Sequence, residues 1–309
     1  MERPYILHLF TPGSQMSPFD VNMAADAGYQ VIAPYTGITV EGVAALTQDA
    51  IFSRSPKGLA RTAIFIGGRD ALLAADMLER AQKAMVPPFQ VALMADPSGA
   101  YTTAAAMVAS VEAALRDHHG STLAGQRVVV LGGTGPVGRI ACVLAALAGA
   151  SVALSSRTGI DAAEAAARAT GERFGVTLEG VSGGDSAAVR SSLASADVLL
   201  SCAAAGVQAV SAADLQQATR LKVAADVNAV PPAGIAGVGV MDNAQPIEGL
   251  QNSQGFVARG IGALAIGNVK YQTQQQLLRR MHEAGSPQLL SYREAFELAR
   301  ELLAPKPAA

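Results

Sequence analysis

The chain has 309 residues, enough for two domains of ordinary size, and 50% of them are hydrophobic while only 16% are charged. A net charge of −2 provides no broad basic surface, which argues against a nucleic-acid partner. The sequence shows no apolar run of membrane-spanning length, no signal-peptide pattern and no metal motif among its 2 cysteines and 4 histidines, so we expect a cytoplasmic protein without a metal.

Short apolar runs alternate with amphipathic stretches from the start of the chain, which predicts βαβ units and a parallel sheet. In the first third, the predicted strands are YILHLF, YQVIAPY, TAIFIGG and FQVALMAD. The segment DALLAADMLERAQKAM predicts a helix that presents Leu73, Met77, Leu78 and Ala81 on one face.

A long alanine-rich helix in TTAAAMVASVEAALRDHHG then leads into a loop of small and polar residues, which we take as a domain junction. Beyond it the pattern restarts with the predicted strands RVVVLGG, SVALSSR, VTLEGV, DVLLSCAA and KVAADVNA, separated by predicted helices around 136–148, 161–173, 185–194 and 211–219. The final segment is helical and belongs to neither predicted sheet. We therefore predict an α/β fold with a first domain over 1–120, a Rossmann-type parallel-sheet domain over 121–268, and C-terminal helices over 269–309 that pack back on the first domain.

A glycine-rich loop follows the first strand of the second domain and opens a helix, the context that a dinucleotide site requires. Gly133 is expected to permit the tight turn, Gly135 to let the backbone approach a pyrophosphate, and Gly138 to let the helix lie close to the strand. The helix N-terminus adds N–H donors and the positive end of a dipole. The predicted cofactor loop consists of Gly133, Thr134, Gly135, Pro136, Val137 and Gly138. The alternative is a close-packed turn without a ligand.

The next strand ends in Ser155, Ser156 and Arg157, where an NAD site usually has a carboxylate for the ribose 2′-hydroxyl. Two hydroxyls and a guanidinium suit a 2′-phosphate, which arginine can bind through two hydrogen bonds. We therefore expect NADP as cofactor, with NAD also accepted. A solvated arginine after the strand is the alternative interpretation.

Two later strand ends should line the nicotinamide half of the site, because ligands bind at the carboxyl ends of parallel strands. They are SCAAAG, which contains Ala203, and DVNAVPPAG, which contains Asn228. Asn228 could hydrogen-bond the carboxamide of the cofactor, or it could simply form a turn.

Several segments together resemble one family: SPFDVNMAADAG, DPSGAYTTAAAMV, GGTGPVG, DVNAVPPAGIAG and GIGALAIGNVKYQTQ. They are similar to the methylene-tetrahydromethanopterin dehydrogenases of one-carbon-oxidising bacteria, over nearly the whole chain. The similarity favours the branch that uses NAD or NADP with the methanopterin substrate over the branch that also handles tetrahydrofolate. The resemblance implies a substrate domain and a cofactor domain with a cleft between them, a homo-oligomer (a trimer), and a role in formaldehyde oxidation during methylotrophic growth.

By the same resemblance the active-site residues are Phe19, Thr103 and Lys270. The family's other branch carries a histidine one helical turn beyond the lysine, where this chain has Gln274, which could hydrogen-bond the same ligand without charge. A role that needs a titrating imidazole is therefore not expected here.

Local patterns leave alternatives open for each of these residues. Phe19 precedes a predicted helix and could back a flat ring or form a hydrophobic staple, while Asp20 could help to cap that helix. One of two adjacent threonines, Thr102 or Thr103, is expected to cap the alanine-rich helix. Asn268 as a cap would put Lys270 in the first turn of its helix, where a cation is unfavourable, unless the helix begins further upstream.

The implied reaction moves a hydride from a methylene carbon between two nitrogens to the nicotinamide, and it needs no general base. The sequence accordingly shows no Ser-His-Asp order, no Cys-His pair and no YxxxK signature. Catalysis would depend on holding two flat rings at near-attack distance. The alternatives are a methylene-tetrahydrofolate dehydrogenase and a non-catalytic NADP-sensing module.

Overall fold

A computed structural model describes residues 3–253 and 255–305 of the chain. These residues form two compact units, each assembled from separate parts of the chain. The first contains the chain up to Thr102 together with Tyr271–Ala295. The second contains Thr103–Lys270 and the chain from Phe296 onward.

Strands and helices alternate along most of the chain. The strands are β1 (Ile6–Phe10), β2 (Val31–Tyr35), β3 (Thr62–Ile66), β4 (Ala92–Ala95), β5 (Arg127–Leu131), β6 (Ser151–Ser156), β7 (Glu179–Ser182), β8 (Val198–Ser201), β9 (Val223–Asp226), β10 (Asn243–Gln251), β11 (Val257–Ile261) and β12 (Leu289–Leu290). The α-helices are α1 (Pro18–Asp26), α2 (Val40–Phe52), α3 (Pro56–Leu59), α4 (Ala71–Ala84), α5 (Ala100–His119), α6 (Pro136–Leu147), α7 (Ile160–Phe174), α8 (Ser186–Leu193), α9 (Ala212–Leu215), α10 (Ala263–Glu283) and α11 (Tyr292–Leu302).

The first unit is built on a five-stranded parallel sheet in the order β12-β4-β3-β1-β2. Strands β3 and β4 are buried along their whole length. That burial explains why their sequences are continuous apolar runs, since a parallel strand covered on both faces has no solvent side. Helix α4 buries Met77, Leu78 and Ala81 of the predicted face, whereas Leu73 is only half-buried.

The second unit is built on a seven-stranded sheet in the order β10-β11-β9-β8-β5-β6-β7. All neighbouring strands are parallel except β10, which runs antiparallel to β11. Strands β8 and β9 are fully buried, and the sheet contributes Val129, Leu199 and Ala224 to the core of this unit. The carboxyl ends of β5, β6, β8 and β9 carry the segments predicted to bind the cofactor.

The α/β fold class is confirmed, and each of the apolar runs predicted as a strand overlaps one. Strands β10 and β11 were not predicted from the sequence. Strand β10 contains Pro246 and Gly249 and buries only Ile247, so it lacks the alternation that marks a strand. Its proline is tolerated because an edge strand does not need every N–H group for pairing.

The predicted assignment of the C-terminal segment was wrong in one respect, because β12 adds to the first sheet. Leu289 and Leu290 pair with Leu93 and Met94 of β4, but two residues are too short for a periodic pattern. The compact units also divide inside α5, α10 and α11, not at the predicted positions 120 and 268. Within the second unit, Arg300 of α11 makes a bidentate ion pair with Glu112 of α5, which ties the end of α11 to α5.

Two helix boundaries also differ from the prediction. Helix α9 covers only Ala212–Leu215 of the predicted 211–219. Helix α10 begins at Ala263, well before Asn268.

Candidate active site

The glycine loop between β5 and α6 is packed backbone against backbone. A Cβ atom on Gly138 would lie 2.5 Å from the carbonyl oxygen of Gly132, so only glycine lets α6 approach the loop this closely. A Cβ atom on Gly133 would lie 2.7 Å from Cγ of Leu154 on β6. The turn itself is made by Gly132, whose φ is +67°, and not by Gly133 as predicted.

The middle of the loop suits a pyrophosphate. A Cβ atom on Gly135 would meet nothing closer than 3.4 Å, so the missing side chain leaves the backbone accessible there. Helix α6 starts at Pro136 with Gly135 as its N-cap, and the amides of Val137 and Gly138 follow in its first turn. These N–H groups have no carbonyl partner one turn back within the helix, and the helix dipole favours an anion at this end. The residues present therefore fit a dinucleotide.

At the end of β6 the hydroxyl residues are buried and the arginine is exposed. Ser155 and Ser156 are each 2% exposed, whereas Arg157 is exposed to solvent. The hydroxyl of Ser156 lies 2.9 Å from that of Thr158 and also accepts from the Thr158 N–H group. Thr158 was missed by the sequence analysis, although a hydroxyl residue directly after the arginine could have indicated it.

At the end of β9 a buried aspartate and asparagine shape the predicted nicotinamide loop. The Asp226 carboxylate accepts from the backbone N–H groups of Asn228, Gly234 and Ile235. Asn228 accepts from the N–H groups of Gly206 and Val230 and donates to the carbonyl of Pro232. Asn228 is thus a turn former, and its predicted contact with the carboxamide would use the one remaining amide hydrogen.

The end of β8 brings a cysteine next to this loop. Ala203 is partly exposed there, and the thiol of Cys202 lies 3.8 Å from the sulfur of Met107. Burial, together with the charge of Asp226, raises the pKa of Cys202 to about 12. The thiol therefore stays protonated at neutral pH and is a poor nucleophile.

In the first unit, Phe19 stands at the start of α1. The helix begins at Pro18 with Ser17 as N-cap, so the prediction that Phe19 precedes the helix and that Asp20 caps it was wrong. A hydrophobic staple requires the residue before the cap, so the staple interpretation of Phe19 fails as well. Phe19 is 47% exposed, which leaves a flat apolar surface that a ligand can contact.

Helix α10 holds α1 through two buried glutamines. Nε2 of Gln274 lies 3.4 Å from Oδ1 of Asp20, and Nε2 of Gln275 donates to the carbonyl of Met23. Gln274 is fully buried, and it approaches α1 at Asp20, the residue that follows Phe19. Lys270 is half-buried and about two turns into α10, not in its first turn. The helix dipole therefore does not disfavour a cation at this position.

The predicted threonine cap of α5 is replaced by a buried carboxylate. Oδ1 of Asp96 accepts from the N–H groups of Tyr101 and Thr102, and Oδ2 accepts from the Thr102 hydroxyl at 2.6 Å. Helix α5 begins at Ala100, so neither Thr102 nor Thr103 is its cap. Of the two threonines, Thr102 is the one that Asp96 holds, and Thr103 is half-buried in the next position.

The structure brings the predicted cofactor residues to the carboxyl ends of neighbouring strands of one sheet. In the first unit it brings Gln274 to the helix that carries Phe19. The described residues contain no group of three or more His, Cys, Asp or Glu side chains that could hold a metal. None of the helices in 3–253 and 255–305 combines the length and apolar character that a membrane crossing requires.

Both the sequence profile and the sequence relatives that match this chain include methylene-tetrahydromethanopterin dehydrogenases. The sequence profile described as "Methylene-tetrahydromethanopterin dehydrogenase, N-terminal" matches residues 18–98. The chain is 49% identical over 297 residues to the NAD(P)-dependent methylenetetrahydromethanopterin dehydrogenase of Methylorubrum extorquens, covering 96% of this chain and 98% of the relative. It is 33% identical, with the same coverage, to the bifunctional protein MdtA of that organism.

Among solved structures, the fold is similar to that of the 5-ketofructose reductase of Gluconobacter sp. strain CHM43. The TM-score is 0.50 at 15% sequence identity, over 97% of this chain and 99% of the reductase. A likeness at this level of identity concerns the fold alone.

Proposed function

Because this chain belongs to the family of NAD(P)-dependent methylene-tetrahydromethanopterin dehydrogenases, we propose that Phe19, Thr103 and Lys270 contact its pterin substrate and that NADP is its preferred cofactor. The activity follows from the family. The chain is an oxidoreductase that transfers a hydride from methylene-tetrahydromethanopterin to NAD(P)⁺ and leaves methenyl-tetrahydromethanopterin. The observation that carries this conclusion is 49% identity over 96% of the chain.

The bound nicotinamide supplies the hydride acceptor, and the task of the protein is to hold the donor carbon against it. The reaction leaves a cation spread over N–C–N and releases no proton from the substrate, so no general base is required. Orientation of two flat rings is then the main source of rate acceleration.

For the pterin, we assign a role to each residue. The exposed ring of Phe19 offers a flat apolar surface for stacking. Lys270 donates a hydrogen bond to a pterin carbonyl, and the hydroxyl of Thr103 provides a further polar contact. Gln274 acts indirectly, since its buried amide holds Asp20 and with it the start of α1.

For the cofactor, the proposed pyrophosphate site is the loop from Gly133 to Gly138. Arg157, Ser155 and Ser156 receive the 2′-phosphate, and Thr158 joins them through its hydrogen bond to Ser156. An exposed guanidinium and adjacent hydroxyls, without a carboxylate, favour NADP over NAD. Ala203 and Asn228 line the nicotinamide end.

The proposal is tested by following NADPH formation with methylene-tetrahydromethanopterin, and repeating the assay with NAD⁺ and with methylene-tetrahydrofolate. We expect the highest kcat/KM with the methanopterin substrate and NADP⁺. Faster turnover with the folate substrate would assign the chain to that reaction. NADPH binding without turnover of either substrate would favour a sensing module.

We further propose that the enzyme is a cytoplasmic trimer that serves formaldehyde oxidation in methylotrophic metabolism. Sedimentation equilibrium tests the assembly, and a mass of one chain at all concentrations would contradict it. Loss of growth on methanol after deletion of the gene, with growth on a multicarbon substrate retained, tests the metabolic role.

A further inference from the structure

Arg139 follows the last glycine of the cofactor loop and connects two elements of the second unit. Its Nε donates to the carbonyl oxygen of Thr134 in the middle of the loop at 3.0 Å. Its Nη1 donates to the hydroxyl of Thr170 at 2.6 Å and to the carbonyl of Ala166 at 3.1 Å, both in α7. One planar guanidinium therefore links the loop to α7.

The bond to Thr134 fixes a peptide group that the pyrophosphate loop depends on. The N–H of Gly135 in the same peptide donates to the carbonyl of Gly132 at 3.1 Å. This planar unit is therefore held at both ends, at its oxygen by Arg139 and at its nitrogen by Gly132. Fixing it also fixes Gly135, the N-cap of α6, and so the direction of the first amides of that helix.

The other end of the bridge is firmly placed. Thr170 is fully buried, so its hydroxyl cannot follow a moving side chain into solvent. Helix α7 starts directly after Arg157, Thr158 and Gly159, the segment proposed for the 2′-phosphate. The contacts of Arg139 thus connect the proposed pyrophosphate loop with α7, the helix that follows the segment proposed for the 2′-phosphate.

We propose that Arg139 is a positioning residue for the cofactor, which holds the pyrophosphate loop in its binding conformation by anchoring it to α7. This inference rests on the proposed dinucleotide site but not on the identity of the pterin. Arginine is required because lysine has a single ammonium group, which cannot reach Thr134 and Thr170 as a fixed fork does.

The test measures the direct binding of NADPH and NADH to the purified full chain without pterin. Binding is monitored by the fluorescence emission of the reduced nicotinamide. The chain contains no tryptophan, so tryptophan emission does not interfere. We expect Arg139→Met to raise the Kd of both cofactors by a similar factor of about tenfold, since both share the pyrophosphate. Arg139→Lys should recover only part of this loss, and Thr170→Val should cause a smaller increase in both Kd values.

Arg168→Met, which removes an exposed arginine of α7, is the matched control and should leave both Kd values unchanged. A lower Tm for Arg139→Met with unchanged Kd values would show that Arg139 only stabilises the fold and would overturn the proposal. Full recovery by Arg139→Lys would also overturn it, because charge alone would then suffice. If Arg139→Met raises the Kd of the cofactors but leaves the preference between pterin substrates unchanged, the positioning role can be judged separately from the proposed reaction.

Discussion

At the scale of single residues, Arg157 provides a direct test of cofactor choice. Its side chain is exposed at the end of β6 next to buried hydroxyls, and a guanidinium can bind a phosphate through two charge-assisted hydrogen bonds. We expect Arg157→Ala to raise the KM for NADP⁺ about tenfold or more while changing the KM for NAD⁺ less than about twofold. Initial rates with each cofactor measure both constants.

Arg168→Ala serves as the control, since this exposed arginine lies in α7 away from the end of β6. Equal increases in the KM for NADP⁺ and for NAD⁺ in Arg157→Ala would show that the side chain does not bind the 2′-phosphate.

Substitution of Lys270 tests the proposed contact with the pterin substrate. The ammonium group of this half-buried residue is proposed to orient the pterin, so Lys270→Ala should lower kcat/KM for the pterin about tenfold or more. The Kd for NADPH should stay unchanged, because the cofactor makes its proposed contacts elsewhere. Lys57→Ala, at an exposed lysine of α3, should behave as the wild type. Wild-type kinetics in Lys270→Ala would remove this lysine from the active site.

The role of the glycine loop in binding a cofactor could be predicted from the sequence, because glycines act through local backbone geometry. The buried carboxylates could not. Asp96 and Asp226 each organise a loop by accepting backbone N–H groups up to nine residues away in the chain, and no periodic pattern marks such a pair. The roles assigned to Phe19, Thr103 and Lys270 came from family resemblance and not from their local patterns.

At the scale of elements, the short helix α9 is stabilised by one aspartate. Asp214 forms a capping box with Ser211 and also accepts from Ser186 and Arg190 of α8. We expect Asp214→Asn to lower the free energy of unfolding by about 1–2 kcal/mol at neutral pH, measured by urea denaturation. Asp185→Asn is the control, since asparagine caps α8 as well as aspartate does.

The effect of Asp214 should depend on pH with a definite sign. Burial alone would raise the pKa of its carboxyl, but hydrogen bonds from Ser186, Ser211 and Arg190 bring that pKa well below its usual range. The stabilisation is then fully present above the unfolded-state pKa of about 3.9, and it is lost as the pH falls toward the folded-state value. The difference between wild type and Asp214→Asn should shrink in acid; a constant difference would contradict the ionic contribution.

The elements that could be predicted are those with a strong period or a continuous apolar run. The boundaries of α10 and the existence of β10 and β12 could not, because they depend on neighbours distant in sequence. Leu289 and Leu290 become a strand only because β4 offers them an open edge.

At the scale of the whole molecule, cofactor binding should appear as thermal stabilisation. A ligand that binds only the folded chain adds about 2.7 kcal/mol at a concentration of roughly 100 times Kd. NADPH should therefore raise the Tm of the wild type. Gly138→Ala should lose most of this rise, because its Cβ would lie 2.5 Å from the Gly132 oxygen and displace the loop.

Gly267→Ala is the matched glycine substitution, since a Cβ there would meet nothing within 4 Å. It should keep the full NADPH-induced rise in Tm. The same rise in Gly138→Ala would show that the close approach of α6 is not needed for binding.

The strand β12 also determines the order in which the two sheets can be completed during synthesis on the ribosome. The seven-stranded sheet is complete once residue 261 has emerged, whereas the sheet that begins at residue 6 lacks its last strand until Leu290 follows. The part synthesised first is thus the last to close, and a nascent chain stalled between these two points carries an open edge at β4 that invites pairing with another chain.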